Sequence, residues 1–438
     1  MSTESSQILP EAEITDLSHD GRGIGRHDGQ VVFIDNTLPG ERVLFRPGRK
    51  RRKVLHGQLA QIVVSSPDRI VPPCPYFGTC GGCALQHLRY DAQLEHKHRQ
   101  LANALERIAK TTPEEYLPPA AAEPWHYRRK ARLGIRYVPK KGGLLLGFRE
   151  RHKSYVTPLD ACLVLDRRLS DLLPALCDAI AGLSCHDRIP QIEAAAGDNA
   201  VALVIRHLAA LTDQDRDRLI RFARDHEVDV RLQASGPESV QALWPEEATR
   251  LYYEVDDAVR IGFEPTDFVQ VNGAQNRRLV ELALTLLEPG PGDAVLDLFC
   301  GLGNFSLPIA KRAGRVLGVE GERRLTERAA DNARCNGIGN VEFTAADLYA
   351  EGSPGRWIDS SFDKILLDPP RSGAVEVAKR VPDISPRRIV YVSCNPATLA
   401  RDSELLVRKQ GYRLRLAGIV DMFPHTAHVE SIALFERE

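Results

Sequence analysis

A cysteine closes one apolar run of this chain: Arg388-Ile389-Val390-Tyr391-Val392 leads directly into Ser393-Cys394-Asn395-Pro396. A thiol in the middle of a strand packs, whereas one just past the strand end can act as a nucleophile, and the Asn-Pro pair that follows favours the second reading for Cys394. Three carboxylates close three other apolar runs. Glu320 follows Arg315-Val316-Leu317-Gly318-Val319, Asp347 follows the run 341–346, and Asp368 follows Lys364-Ile365-Leu366-Leu367 and opens Asp368-Pro369-Pro370-Arg371. A single acidic residue after a strand is often only a helix cap. Three of them beside a glycine turn, Cys300-Gly301-Leu302-Gly303-Asn304, suggest a nucleotide-type cofactor. Glu320 suits the two ribose hydroxyls and Asp347 the exocyclic amine of adenine. The third glycine of the dinucleotide fingerprint is missing, because Asn304-Phe305-Ser306 follows directly. That favours S-adenosylmethionine, which has no pyrophosphate to cradle.

Such residues need a sheet to hold them. From Asn272, a candidate helix cap for a helix ending near Leu287, the pattern alternates strand and helix to the end of the chain. The expected fold class is α/β, with a doubly wound, Rossmann-like domain of mostly parallel strands. Residues 125–262 mix short strands, glycine turns and at least two helices, and read as an α+β central domain that also takes in residues 69–90. Between residues 91 and 110, Leu94, Leu101, Leu105 and Ile108 share one helical face; this helix is grouped with the doubly wound domain as residues 91–124 and 263–438. Short β runs broken by Gly21, Gly23, Gly25, Gly29 and Gly40 suggest a small barrel over residues 1–68.

With 438 residues, 43% hydrophobic and 27% charged, the chain has ample core and room for about three domains. No apolar run is long enough to span a bilayer, and the polar start Met1-Ser2-Thr3-Glu4-Ser5-Ser6-Gln7 lacks the layout of a secretory signal. A cytoplasmic protein with no membrane partner, and a monomer, is expected. The nine cysteines then read as thiols or metal ligands. Cys74, Cys80 and Cys83 fall within ten residues, with Gly81 and Gly82 between two of them, and Cys162 is the nearest downstream cysteine to serve as a fourth ligand. The spacing is unlike the paired two-residue gaps of most zinc sites, so an iron–sulfur cluster is favoured over zinc and over plain packing.

A net charge of -1 argues against a nucleic-acid partner on average, but the cations are unevenly spread. Arg46, Arg49, Lys50, Arg51, Arg52 and Lys53 form one basic stripe, and His126, Arg128, Arg129, Lys130 and Arg132, with Trp125 and Tyr127 among them, form another. Both are candidate RNA contacts. Ile14-Thr15-Asp16-Leu17, Gly21-Arg22-Gly23-Ile24-Gly25 and Gly40-Glu41 resemble the TRAM domain, an RNA-binding barrel, over residues 10–68.

The motifs Asp297-Leu298-Phe299-Cys300-Gly301-Leu302-Gly303-Asn304-Phe305, Asp368-Pro369-Pro370-Arg371, Ser393-Cys394-Asn395-Pro396 and Phe423-Pro424-His425-Thr426-Ala427-His428-Val429-Glu430 together resemble the RNA uracil-C5 methyltransferases over nearly the full length. A TRAM-like barrel and a cysteine nest in one chain resemble the members that act on 23S ribosomal RNA. The resemblance implies a [4Fe-4S] cluster on Cys74, Cys80, Cys83 and Cys162. It also implies S-adenosylmethionine contacts from Gln270, Phe299, Asn304, Glu320, Asp347 and Asp368, and a base at Glu430. The chemistry expected is addition of Cys394 to C6 of uracil, methylation at C5, and removal of the C5 proton by Glu430. Phe268, beside Gln270, is a candidate stacking partner for a base drawn out of its helix. The alternatives are the same chemistry on a transfer RNA uridine, a non-catalytic RNA-binding iron–sulfur protein, and a redox enzyme that uses the cluster.

Overall fold

Alternation of buried and exposed residues along Glu11–Leu17 marks the first strand, and four more strands like it close a barrel. The structure is a computed structural model that describes residues 9–51, 54–350, 357 and 361–437. The polar start, Arg52 and Lys53 of the basic stripe, and the side chains of Arg49 and Arg51 lie outside the described residues. The chain separates into two compact units.

The first unit comprises Met1–Arg99, Arg149–Tyr155 and Phe423–His428. Strands β1 (Glu11–Leu17), β2 (Gly23–His27), β3 (Gln30–Ile34), β4 (Arg42–Arg51) and β5 (Val54–Val64) form a closed barrel in the order β1-β2-β3-β5-β4. Ala12, Ile14, Val32, Ile34, Val43 and Phe45 fill it. Closure leaves no open edge, and the basic β4–β5 hairpin presents Arg46 and Lys50 to solvent. Glu41 is fully buried at the barrel end. It accepts hydrogen bonds from the Leu38 N–H (2.9 Å), the Ser66 N–H (3.3 Å), and Arg69 Nε (2.5 Å) and Nη2 (3.0 Å).

Helix α1 (Tyr90–Ala104) continues into a π-helical turn over Leu105–Ala109, closed by Lys110 in the left-handed conformation. The wider turn corrects the expected face. Leu101, Leu105 and Ala109 are buried, while Ile108 is 41% exposed, because each residue of a π turn advances less around the axis than the 3.6-residue period assumes.

The second unit holds two large sheets. After β6 (Glu115–Tyr116) come β7 (Lys130–Val138), β8 (Gly143–Arg149), β9 (Val156–Pro158), the short α2 (Arg167–Ser170), α3 (Leu173–Ala181), β10 (Gln191–Ala196), β11 (Val201–Arg206), α4 (Asp213–Asp225), β12 (Asp229–Gln233) and β13 (Val240–Trp244). Seven of these strands make one sheet, ordered β13-β12-β11-β10-β7-β8-β9, which with its helices is the expected α+β body. A hairpin, β14 (Leu251–Asp256) and β15 (Val259–Phe263), precedes α5 (Gly273–Leu287). As expected, Asn272 caps α5, its Oδ1 accepting the Gln275 N–H at 3.2 Å.

Then follow β16 (Ala294–Leu298), α6 (Ser306–Ala310), β17 (Arg315–Glu320), α7 (Arg323–Cys335), β18 (Val341–Ala345), β19 (Lys364–Leu367), α8 (Val375–Ile384), β20 (Arg388–Ser393), α9 (Pro396–Glu404), β21 (Arg413–Val420) and β22 (Glu430–Glu436). The sheet order is β18-β17-β16-β19-β20-β22-β21-β6. Strands β16 to β20 are mutually parallel and β22 lies antiparallel between β20 and β21. The fold is therefore α/β and Rossmann-like, with the barrel and α+β body preceding it. Leu296, Ile365, Ile389, Tyr391 and Phe435 are completely buried in its core, each large apolar side chain contributing about 1.5–3 kcal/mol. The chain winds outward from β16 to β18 and returns to β19 on the other side, so β16 and β19 flank the switch point where such sheets bind ligands.

Glu41→Ala would leave the Arg69 guanidinium without its carboxylate and two backbone donors without an acceptor. The expected loss of barrel-unit stability is about 3 kcal/mol, read by chemical denaturation; a loss within experimental error would refute this account of the barrel end.

Candidate active site

Every parallel strand of the second sheet delivers its last residue to one edge, and the predicted carboxylates gather there. Chain direction reverses sharply after β16. Phe299 takes a left-handed φ of +66°, held because its N–H and that of Cys300 both donate to the Val319 carbonyl, at 2.9 and 3.1 Å. A non-glycine residue in this region costs about 1–3 kcal/mol. The bend lets Gly301, also left-handed at +54°, donate its N–H to Glu320 Oε2 at 3.1 Å. A Cβ on Gly301 would meet nothing within 4 Å, so the backbone there faces open space. Glu320 Oε1 accepts the N–H groups of Gly321 (2.7 Å) and Glu322 (3.3 Å). Three backbone donors thus aim this carboxylate while leaving lone pairs for hydroxyls.

Asn304 is fixed by a reciprocal amide pair. Its Nδ2 donates to Asn276 Oδ1 at 3.0 Å, and its Oδ1 accepts from Asn276 Nδ2 (2.8 Å) and the Tyr253 hydroxyl (3.1 Å). Asp347 is exposed just past β18, where its Oδ1 accepts the Tyr349 N–H at 2.9 Å. The Phe299 ring lies 5.8 Å from that of Tyr349, centroid to centroid. Gln270 is half-buried between β15 and α5, and neighbouring Phe268 is 74% exposed.

Cys394 follows the last residue of β20. The β20–β22 register pairs Val392 with Ile432 and ends with Ser393 and Ser431, so Cys394 and Glu430 each lie one residue beyond the last pair, and the Glu430 charge acts on the thiol. The Ser431 hydroxyl donates to the Ser393 carbonyl at 2.9 Å and pins that register. Asn395 caps α9 through its Oδ1 (Ala397 N–H, 3.1 Å), and its Nδ2 holds the Arg371 carbonyl at 3.0 Å.

The electrostatics set these groups apart from surface acids. Burial pushes the Cys394 thiol up to about 11, reinforced by the negative charges of Glu430 and Asp368, while Arg371 pulls it down. Burial, with the Asp368 charge, holds Glu430 well above the ordinary carboxylate range. Asp368 rises to about 7 through burial and the neighbouring Glu320. Asp297, inside β16, also rises to about 7 through burial, although it accepts the Ser306 hydroxyl. Its other oxygen is buried without a hydrogen bond. Asp297 and the Asn276–Tyr253 clamp were not singled out from sequence; an acidic residue within the apolar run 294–299 was the available signal for the first, and nothing local marked the second.

The other predictions divide. Cys74, Cys80 and Cys83 lie in the first unit on a tight loop, where Cys80 donates its N–H to the Tyr76 carbonyl (2.9 Å) and the Gly82 N–H approaches Cys80 Sγ at 3.4 Å. Cys162 lies in the second unit, its N–H bonded to Ser170 Oγ at 2.9 Å. All four are half-buried. Among the described residues, no group of three or more His, Cys, Asp or Glu side chains is gathered as a metal site. Several cations of the second basic stripe have partners within the protein. Arg129 pairs with Asp198 (3.2 Å) and lies over the Tyr253 ring, Lys130 donates to the Asp267 carbonyl, and Arg132 pairs with Glu193 (2.5 Å). No described helix is long and apolar enough to cross a membrane.

Residues 89–438 match the family model described as tRNA (Uracil-5-)-methyltransferase, and residues 10–60 match the TRAM domain. A protein of Alkalilimnicola ehrlichii named 23S rRNA (uracil(1939)-C(5))-methyltransferase RlmD is 50% identical over 429 residues, covering 98% of this chain and 96% of its own. A protein of the same name from Alcanivorax borkumensis is 48% identical, covering 98% of each chain. Among solved structures, the Pyrococcus abyssi tRNA (uracil-54, C5)-methyltransferase in complex with S-adenosyl-L-homocysteine superposes with a TM-score of 0.74 at 26% identity, over 97% of this chain and 100% of that one. With a family model over residues 89–438 and relatives matching over nearly the full length, the chain belongs to the RNA uracil-C5 methyltransferase family, as an S-adenosylmethionine-dependent enzyme.

Proposed function

We propose that this chain methylates C5 of a uridine in 23S ribosomal RNA through a transient bond between Cys394 and C6 of the base. The observation that carries the reaction is the meeting of Cys394 and Glu430, each one residue beyond the last β20–β22 pair at the sheet edge, with Asp368 acting on both. The choice of RNA is supported by the relatives at 48–50% identity, which match over nearly their whole length. The transfer RNA reading draws on a more distant structural relative, at 26%.

The residues at the edge suit S-adenosylmethionine. Glu320 is aimed by three backbone N–H groups, Gly301 leaves open space, and Asp297 keeps a buried oxygen without a donor. We assign Glu320 to the ribose hydroxyls, Asp347 to the adenine amine, and Gln270, Phe299, Asn304 and Asp368 to the remaining contacts. When bound, the cofactor supplies an electrophilic methyl group on a positively charged sulfur.

The chain's own residues do the rest. C5 of uracil is a weak nucleophile, and addition of the Cys394 thiolate at C6 converts the ring to an enolate whose C5 can take the methyl group. Glu430 then accepts the C5 proton, the C5=C6 bond re-forms, and the thiolate leaves. Burial first, then mutual repulsion, hold Cys394, Glu430 and Asp368 above their ordinary values in the empty site, and all three ionise more readily beside a cation. Phe268, largely exposed next to Gln270, is assigned to stacking against the extruded base.

We also assign Cys74, Cys80, Cys83 and Cys162 as ligands of a [4Fe-4S] cluster. The donor chemistry fits: four half-buried thiols, one already approached by a backbone N–H, which is how iron–sulfur sites stabilise thiolate charge. Methyl transfer to an enolate moves no electrons between centres, so the cluster's part is to hold structure or RNA.

RNA containing 5-fluorouridine should form a denaturation-resistant adduct with the enzyme and methyl donor, since fluorine cannot leave as a proton; Cys394→Ala should form none, and an undiminished adduct in that variant would remove Cys394 from the mechanism. Glu430→Gln should instead accumulate adduct on ordinary RNA. In the ligand-free enzyme, Cys394 alkylation followed by peptide mass spectrometry should keep rising toward pH 11, because only the thiolate reacts and its fraction grows until the raised pKa is passed. Asp368→Asn removes a negative charge and should bring the rise to lower pH; a plateau near the ordinary cysteine value in the unmutated enzyme would contradict the burial argument. Anaerobically purified protein should contain about four iron and four sulfide per chain, with visible absorption that Cys80→Ser diminishes; iron-free protein with a stoichiometric zinc would overturn the cluster. Loss of 5-methyluridine from transfer RNA, with 23S RNA unchanged, in a strain lacking this enzyme would reverse the choice of substrate.

A further inference from the structure

The loop after Asp368 is bound to the nucleophile's helix at three points, and β20 is bound to that helix at a fourth. Asp402, completely buried on α9, accepts the Ala374 N–H (2.7 Å) and the Tyr391 hydroxyl (2.7 Å). Arg401 Nη2 donates to the Ser372 carbonyl (2.9 Å), and Asn395 Nδ2 to the Arg371 carbonyl (3.0 Å). Between them Gly373, at φ +77°, presses so close to α9 that a Cβ would lie 2.7 Å from Asp402 Oδ2 and 2.9 Å from Thr398 Cβ. Loop and helix therefore behave as one body, and Cys394 is joined to it through Asn395.

The Tyr349 side chain reaches this body from the cofactor side. The backbone N–H of Tyr349 is held by Asp347, and its ring lies against Phe299. Its hydroxyl donates to the Gly373 carbonyl at 2.9 Å. A phenol has one proton to give, so the Ser372 hydroxyl, 3.0 Å away, is the donor in the second contact.

We propose that Tyr349 is a positioning residue, linking the loop that receives the adenosine end of the cofactor to the loop–helix body that places Cys394. The inference rests on the reaction proposed above and adds to it a route by which cofactor binding orders the nucleophile. Tyr349 touches neither reacting atom. Its ring serves the cofactor wall and its hydroxyl serves the nucleophile, and Tyr349→Phe separates the two.

The experiment compares unmutated enzyme with Tyr349→Phe on the RNA substrate, measuring the dissociation constant for S-adenosylhomocysteine, single-turnover methyl transfer at saturating cofactor, and thermal stability. The expected result is binding within about twofold, a transfer rate down about tenfold, and a melting temperature little changed. Ser372→Ala, which removes the weaker partner and keeps the Gly373 contact, should show a smaller loss of rate. A Tyr349→Phe enzyme that transfers at the unmutated rate would overturn the proposal, as would one whose whole defect lies in cofactor affinity. If the unmutated enzyme itself transfers no methyl group to RNA, it is the reaction that fails, and the comparison shows this separately.

Discussion

Reversed direction in one strand underlies the whole site. Parallel strands bring their last residues to the ligand-binding edge, and an antiparallel strand brings its first. Because β22 runs against β20, the chain can approach that edge and begin the strand with Glu430 directly beside the residue that follows β20. A slip of one residue would turn Glu430 to the opposite face of the sheet. The Ser431–Ser393 hydrogen bond and the completely buried Ile432, Ala433 and Phe435 oppose such a slip. Register is therefore chemistry here.

Crowding of acids is the second constraint. Asp297, Glu320, Asp368 and Glu430 lie close together near a thiol, and burial, joined by their repulsion, raises Asp297, Asp368 and Cys394. Arg371 acts against that trend at Cys394. An edge so rich in suppressed negative charge favours a cationic ligand over a neutral or anionic one. The same argument separates this site from a phosphate-binding sheet edge, which would carry backbone N–H groups and cations in place of carboxylates.

Much of this was legible in the residues. The strand ends at Glu320, Leu367 and Ser393, the cap at Asn272 and the glycine turn after β16 were all written in short-range patterns, because each depends on neighbours within a few positions. Long-range arrangements were not. Nothing near Asn304 announces Asn276 and Tyr253, and nothing near residue 349 announces the loop at 372–373. Ile108 was misplaced because periodicity cannot foresee a π turn. Likewise, sequence shows the charges of Arg129, Lys130 and Arg132 without the Asp198 carboxylate, Asp267 carbonyl and Glu193 carboxylate that they meet.

The suppressed ionisation of Cys394 bears on survival between turnovers. Oxidation to sulfenic acid and attack by stray electrophiles both proceed through the thiolate, so an idle site that keeps its sulfur protonated is hard to damage. Cys335, at the end of α7, is exposed and open to reagents from solvent. Chemical wear on this protein accordingly falls first on a thiol that the reaction does not need.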